Sequence, residues 1–248
     1  MFTYYANPAR FMRLSAWALP TAAIAALVLF AIGLPGAFLA PADYKQLDVY
    51  RILFVHVPTA WWALGIYGFM ATASFISFVW RHSLADIAAR AAAPIGALYA
   101  GLCLATGAIW GQPTWGTWWI WDARLTSMLI VFLTYLAYLA LWAAVEDETK
   151  AARLASVLCM AGAINLPIVY FSVEWWNTLH QASTVRTGRL DPSMLGPLLA
   201  MAGGFLLAFV AMLFANMRAD IYRRRAQAIA ARRARAGVAA AAVSGAPT

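Results

Sequence analysis

The chain has 248 residues, 64% of them hydrophobic and 11% charged, with a formal net charge of +8 and a mean hydropathy of +0.70. Its ten acidic and eighteen basic side chains are too few to cover a water-soluble globule of this size, whereas a bilayer solvates an apolar excess. The composition therefore excludes a soluble globular protein and implies an integral membrane protein. Cys103 and Cys159 lie inside apolar runs, and there is no CxxC or CxxCH. That argues against a thiol oxidoreductase, a zinc ribbon or a covalent c-type cytochrome.

A hydrocarbon core of about 30 Å takes roughly 20 apolar residues of helix, and uncharged stretches of that length recur along the chain. The first, Ala16 to Leu39, follows Arg10 and Arg13 as a signal peptide would, and Ala40-Pro41-Ala42 resembles a cleavage site. It is longer than the roughly 7 to 15 residues of a signal core, so it is expected to remain as a helix. Pro58 to Trp80, Ala91 to Trp110, Leu125 to Val145, Leu154 to Val173 and Met194 to Met217 bring the spans to six. The expected architecture is all-α: a six-helix membrane domain over residues 1–217, with a loop at 111–124, and a basic, alanine-rich tail over 218–248. Seven arginines from Arg218 to Arg235 predict a helical extension drawn to anionic lipids, at about 1 kcal/mol per residue near the surface. The residues after Gly237 predict a frayed end. No nucleic-acid recognition motif accompanies the charge.

Charge asymmetry sets the expected orientation. The two termini and the second and fourth loops carry thirteen of the eighteen Lys and Arg. In the first, third and fifth loops Lys45, Arg51, Arg124, Arg186 and Arg189 are matched by as many acidic residues. Both termini are therefore expected in the cytoplasm of a bacterial inner membrane. The odd-numbered loops then face the periplasm.

That outward face is chemically unusual. The third loop runs Gly111-Gln112-Pro113-Thr114-Trp115-Gly116-Thr117-Trp118-Trp119-Ile120-Trp121-Asp122-Ala123-Arg124. An interfacial belt explains isolated tryptophans such as Trp80 or Trp142, but belt residues are spread around a protein and these are concentrated in one loop. Trp61, Trp62, Trp110, Trp175 and Trp176 join them, so nine of the twelve tryptophans lie on one side. A large, flat, apolar ligand matches such a surface. Asp122 and Arg124 open the fourth helix, where Asp122 suits an N-cap. His82 follows Arg81 on the inner side and reads as a solvated or snorkelling residue. His56 and His180 flank the tryptophans on the outer face, and two imidazoles beside aromatic walls meet the needs of heme. Arg51, Arg124, Arg186, Arg189, Lys45 and indole N–H groups are candidates for its propionates.

At these residues the chain resembles the heme exporter protein C family, WWD-domain heme-handling proteins of cytochrome c maturation. The resemblance covers most of the chain. Its most specific part is Trp115-Gly116-Thr117-Trp118-Trp119-Ile120-Trp121-Asp122, continuing through Ala123-Arg124-Leu125-Thr126-Ser127. The histidine segments Arg51-Ile52-Leu53-Phe54-Val55-His56-Val57-Pro58 and Phe171-Ser172-Val173-Glu174-Trp175-Trp176-Asn177-Thr178-Leu179-His180-Gln181 look like the family's as well. The resemblance implies a six-helix, non-enzymatic protein that holds heme b without a covalent bond at a periplasmic tryptophan-rich face. It implies His56 and His180 as axial ligands, with Trp115, Trp118, Trp119, Trp121, Asp122 and Arg124 around them. The implied partners are a periplasmic heme chaperone, ATP-binding cassette transporter subunits and a small single-helix membrane protein. This sequence has no P-loop, so ATP hydrolysis is expected of a partner.

Two other classes compete. A membrane b-type cytochrome would also use paired histidines, ordinarily between spanning helices. A small-solute transporter would show ionisable groups or broken helices near the membrane midplane, and the six apolar stretches carry no such charge.

Overall fold

The computed structural model describes residues 7–43, 45–180 and 190–244, with side chains up to residue 236. Helix α1 is Pro8–Leu39, α2 Leu53–Trp80, α3 Ser83–Trp115, α4 Ala123–Ala144, α5 Glu148–Gly162, α6 Asn165–Trp175 and α7 Pro192–Ser244. A 3-10 turn, Asp48–Ile52, leads into α2. The protein is an all-α polytopic membrane protein whose six helical segments are long and apolar enough to cross a bilayer, α5 and α6 together making the fifth.

Local chemistry sets the helix ends. Asn7 caps α1, its side chain accepting from the Ala9 N–H at 2.9 Å, and Pro8 occupies the first turn, where its missing N–H costs nothing. Asp147 accepts from the Thr149 and Lys150 N–H groups and so starts α5. His82, expected to be merely solvated, is the N-cap of α3, with Nδ1 accepting from the Ala85 N–H at 3.1 Å. Helix α3 ends at Gly116, whose φ of 77° is the left-handed conformation that terminates many helices.

Alanine-rich α3 is central, packed against α2, α4 and α7. Ala92, Ala93 and Ala100 are fully buried, because with lipid outside the bundle it is close backbone approach that holds helices together. The same device joins α1 to α7. A Cβ on Gly33 would lie 2.9 Å from the Met201 side chain, and one on Gly36 would lie 2.9 Å from Pro197. Trp62, one of the tryptophans grouped with the outer face, instead donates from its indole to the Ala202 carbonyl at 2.8 Å, tying α2 to α7. Arg218 donates to the Met12 carbonyl and the Ser15 hydroxyl, both at 3.0 Å, so α7 is anchored to α1 at the opposite end.

Helix α7 crosses the 217/218 boundary without interruption. Its arginines do not all face lipid. Arg223 and Arg224 turn back onto the bundle, where Arg224 pairs with Asp86 at 3.2 Å and Asp220 at 2.9 Å. The fifth span departs from an uninterrupted helix: it breaks between Gly162 and Asn165. The break is packed and bonded across. The Ala163 N–H reaches the Cys159 carbonyl at 3.1 Å and the Ile164 N–H the Ala161 carbonyl at 3.2 Å. Asn165 donates to the Ser127 carbonyl at 2.8 Å, and the Tyr67 hydroxyl fills the space a Cβ on Gly162 would need.

Candidate functional site

Successive spans alternate in direction, so the start of α2, the end of α3, the start of α4 and the end of α6 meet at one end of the bundle. The sequence-predicted residues arrive there on separate elements. His56 comes from the first turns of α2, Trp115 from the last turn of α3, Trp118, Trp119 and Trp121 from the connection, Asp122 and Arg124 from the start of α4, and His180 from the segment after α6. Two boundaries differ from expectation. Helix α3 runs on through Pro113 to Trp115, which shortens the tryptophan loop to residues 116–122, and His56 lies inside a helix instead of just before one. A proline removes one interior helix bond, and Pro113 does so only two residues before the end of α3.

His180 is held by a compact polar set. Its Nδ1 is 3.2 Å from Asp122 Oδ2, and its backbone N–H donates to the Thr178 hydroxyl at 3.0 Å. That hydroxyl donates in turn to Asp122 Oδ2. The other carboxylate oxygen caps α4, accepting from the Leu125 N–H at 2.7 Å. Asp122 therefore performs the capping role expected of it and orients a histidine as well. Its side chain is 6% exposed against 19% for that of His180. Burial opposes the Asp122 charge, but the bonds from Thr178 and Leu125 prevail and hold the carboxyl below its ordinary range. Burial also lowers His180, assisted by Arg124 and opposed by Asp122. The balance favours the neutral imidazole. A carboxylate only accepts, so Nδ1 carries the hydrogen and Nε2 keeps its lone pair.

His56 is oriented in the same sense by neutral partners. Its Nδ1 lies 3.0 Å from the Cys103 carbonyl and 3.1 Å from the Thr106 hydroxyl on α3. A carbonyl only accepts, so here too Nε2 is left with the lone pair. The ring lies against Gly107, where an added Cβ would be 3.0 Å from its Cε1. Trp110 meets it edge to face at 5.6 Å and is itself fixed by a 2.7 Å bond from its indole to Gln46.

The tryptophans divide by role. Trp115 packs on the His180 ring at 4.7 Å between centroids. Trp118 and Trp121 are 60% and 75% exposed, and Trp119 meets Trp121 edge to face at 5.4 Å. Thr117 stiffens the loop by donating to the Trp119 carbonyl at 3.1 Å. The Trp119 indole N–H is buried without a hydrogen-bond partner among the described residues, a deficit of about 1–3 kcal/mol that an incoming acceptor would relieve. Beyond them Trp175 stacks on Phe171 at 5.2 Å. Of the candidate cations, Arg51 is engaged with the Ala40 carbonyl at 3.2 Å and with Asp48 at 2.9 Å. Arg186 and Arg189 lie outside the described residues.

Sequence reasoning missed Thr178, Thr106, Gly107, Gln46 and the Cys103 carbonyl. Only Thr178 carried a local signal, a hydroxyl two residues before a histidine, which suits a side-chain turn. The others act through contacts far away in sequence.

Fold and site together define a six-span membrane protein with two oriented imidazoles and an aromatic surface at one end. The sequence profile of heme exporter protein C matches residues 1–232. The chain is 56% identical over 227 residues to the heme exporter protein C of Bradyrhizobium diazoefficiens, covering 90% of this chain and 86% of that one. It is 47% identical over 214 residues to that of Escherichia coli K12, covering 86% and 87%. With that of Paracoccus denitrificans the identity is 45% over 236 residues, covering 94% and 98%. The chain belongs to the heme exporter protein C family.

Proposed function

We propose that this protein binds heme b without a covalent bond at its tryptophan-bearing end and delivers it to a periplasmic heme chaperone during c-type cytochrome maturation. The observation that carries the reading is the pair of histidines at one end of the bundle, each held through Nδ1 so that Nε2 is free to ligate a metal. The relatives' shared name, heme exporter protein C, agrees with it.

Heme, when bound, supplies an iron with two axial positions, a flat apolar ring and two carboxylates. His56 and His180 would be the iron ligands. Trp118 and Trp121 offer exposed indoles, each able to remove about 150 to 250 Å² from water. Trp119 Nε1 and Arg124 would meet its carboxylate oxygens, and Trp115 backs His180. Asp122 fixes the His180 tautomer. The family resemblance further suggests ATP-binding cassette subunits and a small single-helix protein as partners, and charge asymmetry suggests an inner-membrane protein with both termini in the cytoplasm. A membrane b-type cytochrome is the second reading. The exposure of Trp118 and Trp121 favours handing a ligand on over retaining it.

The test is to purify the protein with its pigment, record a pyridine hemochrome spectrum, and follow covalent loading of the chaperone. Combined Trp118→Ala and Trp121→Ala replacement should cut loading severalfold while leaving membrane insertion intact. Undiminished loading would reduce the loop to an interfacial anchor, and a colourless preparation from heme-replete cells would refute the reading.

A further inference from the structure

At the end of the bundle away from the tryptophan loop, a cleft of about 490 Å³ opens between the end of α2, the starts of α3 and α5, and α7. That volume falls within the roughly 300–1,000 Å³ of sites that hold small molecules. Its lining is two-faced: Arg81, Arg153 and Arg224 stand with hydroxyl groups and with the carboxylates of Asp86 and Glu148, while Phe78 and Ala152 supply an apolar wall.

The charges are not balanced across it. Asp86, Glu148 and Asp220 are answered by Arg90, Arg223 and Arg224, with Arg224 3.2 Å from Asp86 and Arg223 3.5 Å from Glu148. Arg81 and Arg153, which also line the cleft, make no ion pair among the described residues. Deeper in, Ser156 is 4% exposed and lines the cleft. Ser156 lies two turns along α5 from Glu148, about 12 Å at the helical rise, so a hydroxyl lines the cavity well inside its mouth. Water would satisfy the mouth but not explain an apolar wall beside two uncompensated arginines. A free phosphate would use the arginines and leave Phe78 and Ser156 idle. An amphiphile with an anionic phosphate uses all of them.

We propose that this cleft is a binding site for one anionic phospholipid, with its phosphate between Arg81 and Arg153, its glycerol-ester oxygens within reach of Ser156, and an acyl chain along Phe78. The site is independent of the heme reading, since it lies at the opposite end of the bundle.

Native mass spectrometry of the full-length protein in a non-ionic detergent tests this, using phosphatidylglycerol, phosphatidylcholine with the same chains, and inorganic phosphate as separate probes. One phosphatidylglycerol should be retained, and Arg81→Gln with Arg153→Gln should weaken its retention by about tenfold or more. Ser156→Val, which fills the floor, should weaken it severalfold. Arg232→Gln with Arg233→Gln, which removes as much charge from the tail, should not change it. Retention unaffected by the Arg81 and Arg153 changes, or lowered equally by the tail changes, overturns the proposal. So does equal retention of phosphatidylcholine. Inorganic phosphate bound with the same arginine dependence makes the ligand a free anion and also overturns it. If no probe binds, the proposal is overturned as well.

Discussion

Replacing Asp122 by Asn separates its two roles. Asn caps a helix about as well as Asp, so the bond from the Leu125 N–H to Oδ1, 2.7 Å long, survives. The other end of the side chain changes sign. An amide nitrogen in place of Oδ2 is a donor, and it faces two donors, the Thr178 hydroxyl and His180 Nδ1–H. Thr178 can turn and accept. His180 relieves the clash by moving its hydrogen to Nε2, which removes the lone pair a metal needs. The lost favourable charge at the start of α4 costs about 0.3–1 kcal/mol, so folding is nearly unchanged. Loss of the carboxylate behind a ligating imidazole costs about 10- to 100-fold in metal affinity. Heme per protein after purification, measured by pyridine hemochrome, should fall accordingly, and the low-spin spectrum should shift toward high-spin. Thermal unfolding in detergent should move by only a few degrees. An Asp122→Asn protein with full heme content and an unaltered spectrum would show that Asp122 is a helix cap and nothing more.

Gly107→Ala puts a methyl group 3.0 Å from His56 Cε1; it should displace the ring from Cys103 and reduce the low-spin fraction, and an unaltered spectrum would show that Gly107 does not seat His56. Gly33→Val meets the Met201 side chain and backbone at about 3 Å; overpacking of this kind costs about 1–3 kcal/mol, so the melting temperature in detergent should drop while the heme spectrum is kept. Alkaline phosphatase fused after Arg235 should be inactive and fused after Gly116 active; the reverse pattern would overturn the orientation drawn from charge.

The spans were legible because the bilayer imposes a length and forbids charge, and Pro58 to Trp80 or Leu125 to Val145 show both directly in sequence. The end of α3 was not: Pro113 and Gly111 read as loop residues, yet Gly111 is buried and leaves room for Trp115, whose ring an added Cβ would meet at 3.1 Å. The break after Gly162 has a sequence signal in Pro167, which lacks the N–H that the Ala163 carbonyl would accept in a continuous helix, but the filling of the space beside Gly162 by the Tyr67 hydroxyl of another span has none. At the site, residues with distinctive chemistry stood out as types: histidines, clustered indoles, an acidic helix start. What orients them did not. Cys103 reads as a buried thiol, but its contribution is a backbone carbonyl, which no side-chain pattern encodes. Arg223 and Arg224 looked like tail charges because their partners, Asp86 and Glu148, are distant in the chain.

The most direct test of heme ligation by His56 and His180 is the absorption spectrum of the purified single variants His56→Gly and His180→Gly, with and without added imidazole. Each should lose the six-coordinate low-spin spectrum and regain it when imidazole fills the vacated position. A bis-imidazole spectrum persisting unchanged in both variants would contradict the assignment.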